Sequence, residues 1–223
     1  MFYNESKIEC MNFLTRFYSS SLGRKFFVAG AGLSLCGFLI LHLSGNLLIF
    51  KGPGVFNHFA QTLDSNPFIL PAELILAGFF LLHIVIALIV RYHNYQARPI
   101  GYARYSVKGG RTWGSRTMTA TALIVLAFLI IHLKDFRFGD RSQGVYQLVV
   151  SCLKNPYYAV FYILAMLSLS LHLSHGIQSA FQTFGLNHPK YTPAIKALGY
   201  LFAVVIGLGF ASIPLWIMMG WIK

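Results

Sequence analysis

Long apolar runs alternate with short polar stretches along almost the whole chain. Five runs are long enough to cross a bilayer as helices of about 20 residues. They cover approximately residues 26–50, 69–91, 118–134, 157–183 and 196–221. Each must be helical, because an isolated strand in lipid would leave its backbone groups without hydrogen bonds. The pattern predicts an all-α membrane protein in which residues 1–223 form one domain, a bundle of five transmembrane helices.

Composition supports a membrane protein. The chain has 223 residues, of which 56% are hydrophobic and only 11% are charged, whereas a soluble domain carries about 25% charged residues. The formal net charge of +12 does not indicate nucleic-acid binding, because the basic residues lie between apolar runs and not on one polar face. The three cysteines form no CxxC pattern, so we expect neither a thiolate zinc site nor a covalently attached haem.

The distribution of Lys and Arg predicts the orientation of the helices. Of the 18 basic residues, 12 lie in segments on the side of the N-terminus and six lie on the opposite side. Because segments rich in Lys and Arg stay in the cytoplasm, we expect the N-terminus inside and the C-terminus outside.

Four histidines interrupt the apolar runs, one in each of the first four predicted helices. His42 and His132 lie about 22–24 Å from the inner end of their helices, and His83 and His172 about 12–16 Å from it, at a rise of about 1.5 Å per residue. Consecutive helices run in opposite directions. The four side chains therefore fall into two pairs at two depths, an outer pair and an inner pair.

Two histidines on opposed helices can supply both axial ligands of a haem iron, and helix bundles commonly hold such cofactors in their cores. Small residues that leave room for a flat macrocycle are Gly30, Gly32, Gly37, Gly45, Ala77, Gly78, Ala120, Ala127 and Gly176. A single intramembrane histidine is often only a hydrogen-bonding group between helices. Four that form two depth-matched pairs favour two haems with irons about 10–15 Å apart.

The other histidines differ in position. His58, His93 and His188 lie in or beside polar segments, where we expect them to be solvated or interfacial. His175 follows His172 by three residues, so both share one helix face and either could reach the same iron. A position nearer the inner surface also suits His175 for contact with a haem propionate.

The ordered set LHLSGN, FLLHIV, FLIIHL and LHLSHG resembles the cytochrome b subunit of succinate:quinone oxidoreductase. The resemblance is to the single-chain, five-helix, di-haem form found in succinate dehydrogenase and fumarate reductase. It implies that His83 and His172 bind the proximal haem b and that His42 and His132 bind the distal one. A glycine four residues after the ligand is part of the family pattern, so Gly176 favours His172 over His175.

The resemblance also implies partners and a location. A flavoprotein subunit and an iron–sulfur subunit would dock on the cytoplasmic side of a bacterial inner membrane. Electrons from succinate would then pass through the two haems to a quinone, usually menaquinone in this family. The chain itself has no flavin motif and no cysteine-rich cluster motif, so we expect it to be the quinone-reactive electron-transfer subunit, without dicarboxylate chemistry of its own.

Some polar residues could contact the cofactors. Charge-assisted hydrogen bonds to haem propionates are expected of residues at the inner helix ends, although positive-inside anchoring explains the basic ones equally well. These residues are Arg24, Lys25, Ser115 and Arg116.

A quinone site needs a group that exchanges protons, and few acids lie on the outer side. Glu73 near the start of the second helix is one candidate, although the helix dipole alone favours a carboxylate there. For Asp135 we expect instead a surface ion pair with Lys134 or Arg137.

Two other functions fit parts of the pattern. A di-haem cytochrome b subunit of a formate dehydrogenase, hydrogenase or nitrate reductase would draw its histidines from other helices. A transporter or channel with a proton relay would need carboxylates at mid-membrane depth, and the apolar runs contain none there.

Overall fold

The computed structural model describes residues 12–97 and 113–222. Every regular element in these two ranges is helical. Five helices are long and apolar enough to cross a membrane, which confirms the predicted fold class. They are α2 (Ser21–Asn46), α4 (Ile69–Gln96), α5 (Trp113–His132), α7 (Pro156–Thr183) and α8 (Thr192–Met218). Shorter helices are α1 (Asn12–Ser19), α3 (Pro53–Asp64) and α6 (Val145–Lys154).

Local signals explain where the helices begin. Helix α2 starts at Ser21, earlier than the predicted residue 26, because the Ser20 hydroxyl accepts a hydrogen bond from the Gly23 amide at 2.9 Å. Such a cap satisfies a backbone donor at the helix start. In the same way, Asn155 accepts from the Tyr157 amide at 3.0 Å and begins α7.

Two membrane helices continue beyond their α-helical ends in a different geometry. Helix α2 runs into a 3₁₀ turn, Leu47–Lys51, and α5 into a π-helical turn, Leu133–Arg137. The π turn follows directly after His132. Turns of this kind occur frequently at functional sites.

The membrane helices pack unevenly. Helices α2, α7 and α8 form the centre, with α4 packed on α2 and α5 packed on α7. The packing of α7 on α8 is close, because Ser170 donates a hydrogen bond to the Ala203 carbonyl at 2.8 Å and faces Gly207. In the most apolar 18-residue segment of each helix, 6% of the residues are buried in α4 and in α5, whereas 33% are buried in α7 and 39% in α8. Helices α4 and α5 therefore form the loosely packed sides of the bundle.

Helices α3 and α6 cover the end of the bundle opposite the N-terminus, which we call the capped end. The two helices are joined by Asn57, whose side-chain oxygen accepts a hydrogen bond from the Tyr146 amide at 2.9 Å. Their apolar faces enter a buried cluster with the ends of α7 and α8. The cluster contains Ile49, Phe56, Tyr146, Val149, Val150, Leu153, Tyr162, Ile213, Ile217 and Ile222.

The prediction of orientation rests partly on residues without a structural description. Lys7, Arg98, Arg104, Lys108, Arg111 and Lys223 lie outside residues 12–97 and 113–222. The bundle still fixes which ends lie together: α2, α5 and α8 begin, and α4 and α7 finish, at the end that carries the N-terminus. We call it the N-terminal end.

Candidate functional site

The first histidine pair lies near the capped end. His42 on α2 and His132, the last residue of α5, face each other with ring centroids 5.8 Å apart and ring planes at 88°. Aromatic side chains hold both rings: Phe38 stacks on His42 at 5.0 Å, and Phe128 lies 5.3 Å from His132. Phe210 of α8 also packs against His42, with ring centroids 5.6 Å apart.

The second pair lies nearer the N-terminal end. His83 on α4 and His172 on α7 have ring centroids 6.3 Å apart and planes at 75°. The Nδ1 atom of His83 donates a hydrogen bond to the Val28 carbonyl of α2 at 3.2 Å. Gly32 permits this approach, because a Cβ atom there would lie 3.2 Å from His83 Cε1. The bond orients the ring and leaves its Nε2 atom available to bind a metal.

Neither pair is held together by a hydrogen bond between its own two rings. Among the described residues, no hydrogen bond joins the two rings of either pair. The Nδ1 atoms of His132 and His172 are buried and have no partner there. Buried polar atoms in native proteins nearly always have a partner. Unpartnered imidazole nitrogens therefore indicate a ligand between or beside the rings.

The spacing of the rings fits a metal held from two sides. With metal–imidazole bonds of about 2.0–2.1 Å, the ring centroids of two opposed ligands lie about 6.4 Å apart. The observed separations are 5.8 and 6.3 Å. No group of three or more His, Cys, Asp or Glu side chains comes together within 12–97 and 113–222, whereas a bare zinc ion needs three or four protein ligands. A haem needs only two axial ligands from the protein, so the residues fit this group.

The remaining candidates for cofactor contacts lie at the N-terminal end. Arg24 and Ser115 are half-buried, and Lys25 and Arg116 are exposed, all in the first turns of α2 and α5. His175 is half-buried on α7, one turn closer to this end than His172. Their predicted contacts with propionates remain predictions. His58, His93 and His188 are exposed, as expected.

Near the capped end, the acidic residues form a different ion pair from the one predicted. Arg137 forms a two-pronged ion pair with Glu73 across α4 and the π turn, with Nη2–Oε2 at 3.0 Å and Nε–Oε1 at 3.1 Å. The expected ion pair of Asp135 with Lys134 or Arg137 is therefore wrong for Arg137, and no ion pair of Asp135 occurs in the described part of the chain. Arg137 lies only two residues after Asp135, yet its guanidinium group binds the Glu73 carboxylate of α4 instead.

Sequence reasoning missed Tyr162. This residue of α7 packs beside His132, with ring centroids 6.4 Å apart, and its hydroxyl is buried without a hydrogen-bond partner in the described ranges. Nothing in its apolar surroundings, AVFYILAM, distinguishes it from a core aromatic residue. A separate open cavity of about 380 Å³ lies between Phe50 and Trp216, away from both histidine pairs.

Comparisons with known proteins point in the same direction as the geometry. A family model described as "Succinate dehydrogenase/Fumarate reductase transmembrane subunit" matches residues 95–211. The succinate dehydrogenase cytochrome b558 subunit of Bacillus subtilis (strain 168) is 26% identical over 184 residues, which cover 80% of this chain and 85% of that relative. No solved structure gives a significant match.

Proposed function

The chain belongs to the succinate dehydrogenase/fumarate reductase transmembrane subunit family, and we propose that it conducts electrons between an iron–sulfur subunit and a membrane quinone through two haems b. The observation that carries the proposal is the arrangement of four buried imidazoles as two facing pairs, with ring separations of 5.8 and 6.3 Å. Each haem would supply a one-electron carrier whose potential is set by its axial ligands and their surroundings.

In this proposal each histidine binds iron through one ring nitrogen, while its neighbours fix the orientation of the ring. His83 and His172 hold the proximal haem, and the Val28 carbonyl keeps His83 in one tautomer. His42 and His132 hold the distal haem, and Phe38 and Phe128 limit the rotation of their rings. Such outer contacts tune the basicity of a ligand and hence the metal it binds.

We assign the N-terminal end of the bundle to the cytoplasmic side of a bacterial inner membrane. The flavoprotein and iron–sulfur subunits would dock there, close to the pair of His83 and His172. The half-buried Arg24 and Ser115, with Lys25 and Arg116, lie at the same end and would bind the anionic propionates of the proximal haem. His175, one turn from His172, would contribute to the same contacts.

The quinone would react at the capped end, beside His42 and His132, with menaquinone as the expected substrate. Glu73 lies at this end, but its carboxylate is already paired with Arg137. Electrons from succinate would enter at the proximal pair and leave at the distal pair, and fumarate reduction would use the same route in reverse.

Spectroscopy of the complete membrane complex tests this function. Dithionite-reduced samples should show b-type absorption bands with two haems per chain, and succinate should reduce at least one haem. The His42→Ala, His83→Ala, His132→Ala and His172→Ala variants should each lose one haem. His58→Ala, at an exposed histidine of α3, is the matched control and should keep both.

Two results would contradict the proposal. A complex without b-type bands after expression with ample haem would remove the electron-transfer role. A complex with two haems that formate or hydrogen reduces, and succinate does not, would place the chain with another di-haem oxidoreductase.

A further inference from the structure

His132 differs from the other three paired histidines in its position on its helix. It is the last residue of α5 and leads directly into the π turn Leu133–Arg137. Each of the others is followed by at least one more turn of α-helix. The last carbonyls of a helix have no partner within that helix, and α5 packs mainly on α7. The orientation of His132 therefore depends on what holds the π turn in place.

The Arg141 guanidinium group holds the π turn by its backbone. Its Nη2 and Nε atoms both donate hydrogen bonds to the Phe136 carbonyl, at 2.7 and 3.1 Å. Its Nη1 atom donates to the Asp64 carboxylate at the end of α3, with Nη1–Oδ2 at 3.3 Å. Basic side chains commonly bond to the last carbonyls of a helix, and the planar fork of arginine fixes the direction of such bonds. One side chain thus ties the π turn to α3.

The Phe136 side chain carries this restraint to the His132 ring. Its ring lies against His132, with centroids 5.3 Å apart, and against Tyr162 of α7 at 5.9 Å. The Phe138 amide donates to the Leu133 carbonyl at 3.1 Å and closes the turn. A shift of the Phe136 carbonyl would therefore move an aromatic ring that contacts the imidazole directly.

A second guanidinium group reaches the π turn, but it acts through a side chain and not through the backbone. Arg137 pairs with Glu73 of α4, and its side chain is 45% exposed, whereas that of Arg141 is 31% exposed. Exposed ion pairs hold their partners weakly, and hydrogen bonds from a charged donor are stronger than neutral ones. Arg141 is therefore the stronger of the two anchors.

We propose that Arg141 is a positioning residue for His132 and so fixes the orientation of one axial ligand of the distal haem. This inference rests on the proposed function. The ring planes of His42 and His132 stand at 88°, close to the largest angle that two planes can make. Any rotation of His132 about the iron–nitrogen axis would therefore bring the planes closer to parallel. The contacts that orient an axial ligand tune the metal it binds.

The test uses the complete complex and reads the low-spin EPR signals of its oxidised haems. Axial imidazole planes that are nearly perpendicular give the largest g maximum. Arg141→Gln should lower the g maximum of the distal haem and shift its midpoint potential, and should leave the signal of the proximal haem unchanged. Arg141→Lys should give most of the same change, because an ammonium group cannot reproduce the two-pronged contact with Phe136.

Two milder substitutions complete the series. Asp64→Asn keeps the guanidinium group and weakens only its orientation, so it should lower the distal g maximum less than Arg141→Gln does. The control is Lys154→Gln, which removes a positive charge from an exposed position at the end of α6, on the same side of the bundle. It should change neither signal.

The outcomes separate this inference from the proposed function. Unaltered distal signals in both Arg141→Gln and Arg141→Lys, with two haems present, would overturn the inference and leave the proposed function intact. If Arg141→Gln loses the distal haem, the signal of Arg141→Lys decides. A shifted potential in Arg141→Gln alone, with the g maximum unchanged, would also overturn the inference, since Arg141 would then act only by its charge. A wild-type complex without b-type haem would overturn both.

Hydrogen exchange tests the anchor without reference to haem spectra. The Phe138 amide is bonded to the Leu133 carbonyl, and it exchanges when the π turn opens. In the complete complex this amide should exchange at least about fivefold faster in Arg141→Gln than in Lys154→Gln, while the amides of α2 stay unchanged. Equal exchange rates in the two variants would contradict the anchoring of the π turn by Arg141.

Discussion

Replacing Gly32 with alanine should selectively weaken the proposed proximal haem site. A Cβ atom at this position would lie 3.2 Å from Cε1 and 3.4 Å from Nδ1 of His83. Carbon atoms in favourable contact lie about 3.5–4.0 Å apart, so the imidazole must move away from α2 by a few tenths of an ångström. The same movement lengthens the hydrogen bond from His83 to the Val28 carbonyl, which already measures 3.2 Å.

The cost follows from these two contacts. Crowding of a packed site costs about 1–3 kcal/mol, and a typical hydrogen bond contributes about 0.5–1.5 kcal/mol. Because the ring relaxes partly, the net cost to haem binding is about 1–2 kcal/mol, which corresponds to a five- to thirtyfold loss of affinity for haem. Gly32→Ala should therefore reduce occupancy of the haem bound by His83 and leave the haem at His42 and His132 unaffected.

Haem content per chain and reduced-minus-oxidised difference spectra of the purified complex provide the assay. The matched control is Gly54→Ala in helix α3, at an exposed position where a Cβ atom meets nothing within 4 Å. Both variants share the gain in helix propensity from Gly to Ala, so their difference isolates the contact with His83. Equal occupancy of the proximal site in the two variants would refute the assignment of His83 as an oriented ligand.

Three further predictions concern other parts of the bundle. His172→Ala should lose one haem and His175→Ala should keep both, as counted by absorbance, and the opposite result would make His175 the ligand. Arg137→Ala and Glu73→Gln should each lower the free energy of unfolding by at most about 1 kcal/mol, because the ion pair is exposed. In thermal unfolding, the double variant should be no less stable than either single variant. Gly207→Val should destabilise the packing of α7 and α8 by at least about 1–3 kcal/mol. The reason is that a Cβ atom at this position would lie 2.6 Å from the side chain of Ser170 on α7. An unchanged melting temperature would contradict that packing.

The membrane helices and the pairing of the histidines were predictable because both depend on local, repetitive features. A span of about 20 apolar residues has few alternatives in lipid. The alternating direction of such spans then sorts His42, His83, His132 and His172 by depth. The structure brings together the same partners, at 5.8 and 6.3 Å. Their role as iron ligands stays a prediction until haem is counted.

The capped end was not predictable by the same means. Helices α3 and α6 are short and amphipathic, with glycines of positive φ, Gly52 and Gly144, before them, and the sequence suggested only polar connections there. A π turn that contains Asp135 and Arg137 follows His132, and no pattern in LKDFR marks it. Which charges pair therefore depends on tertiary geometry that spacing along the chain does not encode.

The uneven packing of the bundle links its assembly to the supply of cofactor. Helix α4 rests mainly on α2, and α5 mainly on α7, yet the facing imidazoles connect α4 with α7 and α2 with α5. Each iron would thus link two helices that share little contact surface. A ligand that binds only the folded chain stabilises that chain, and the stabilisation grows with the logarithm of the free ligand concentration. Cells short of haem should accordingly degrade this subunit faster than its partners.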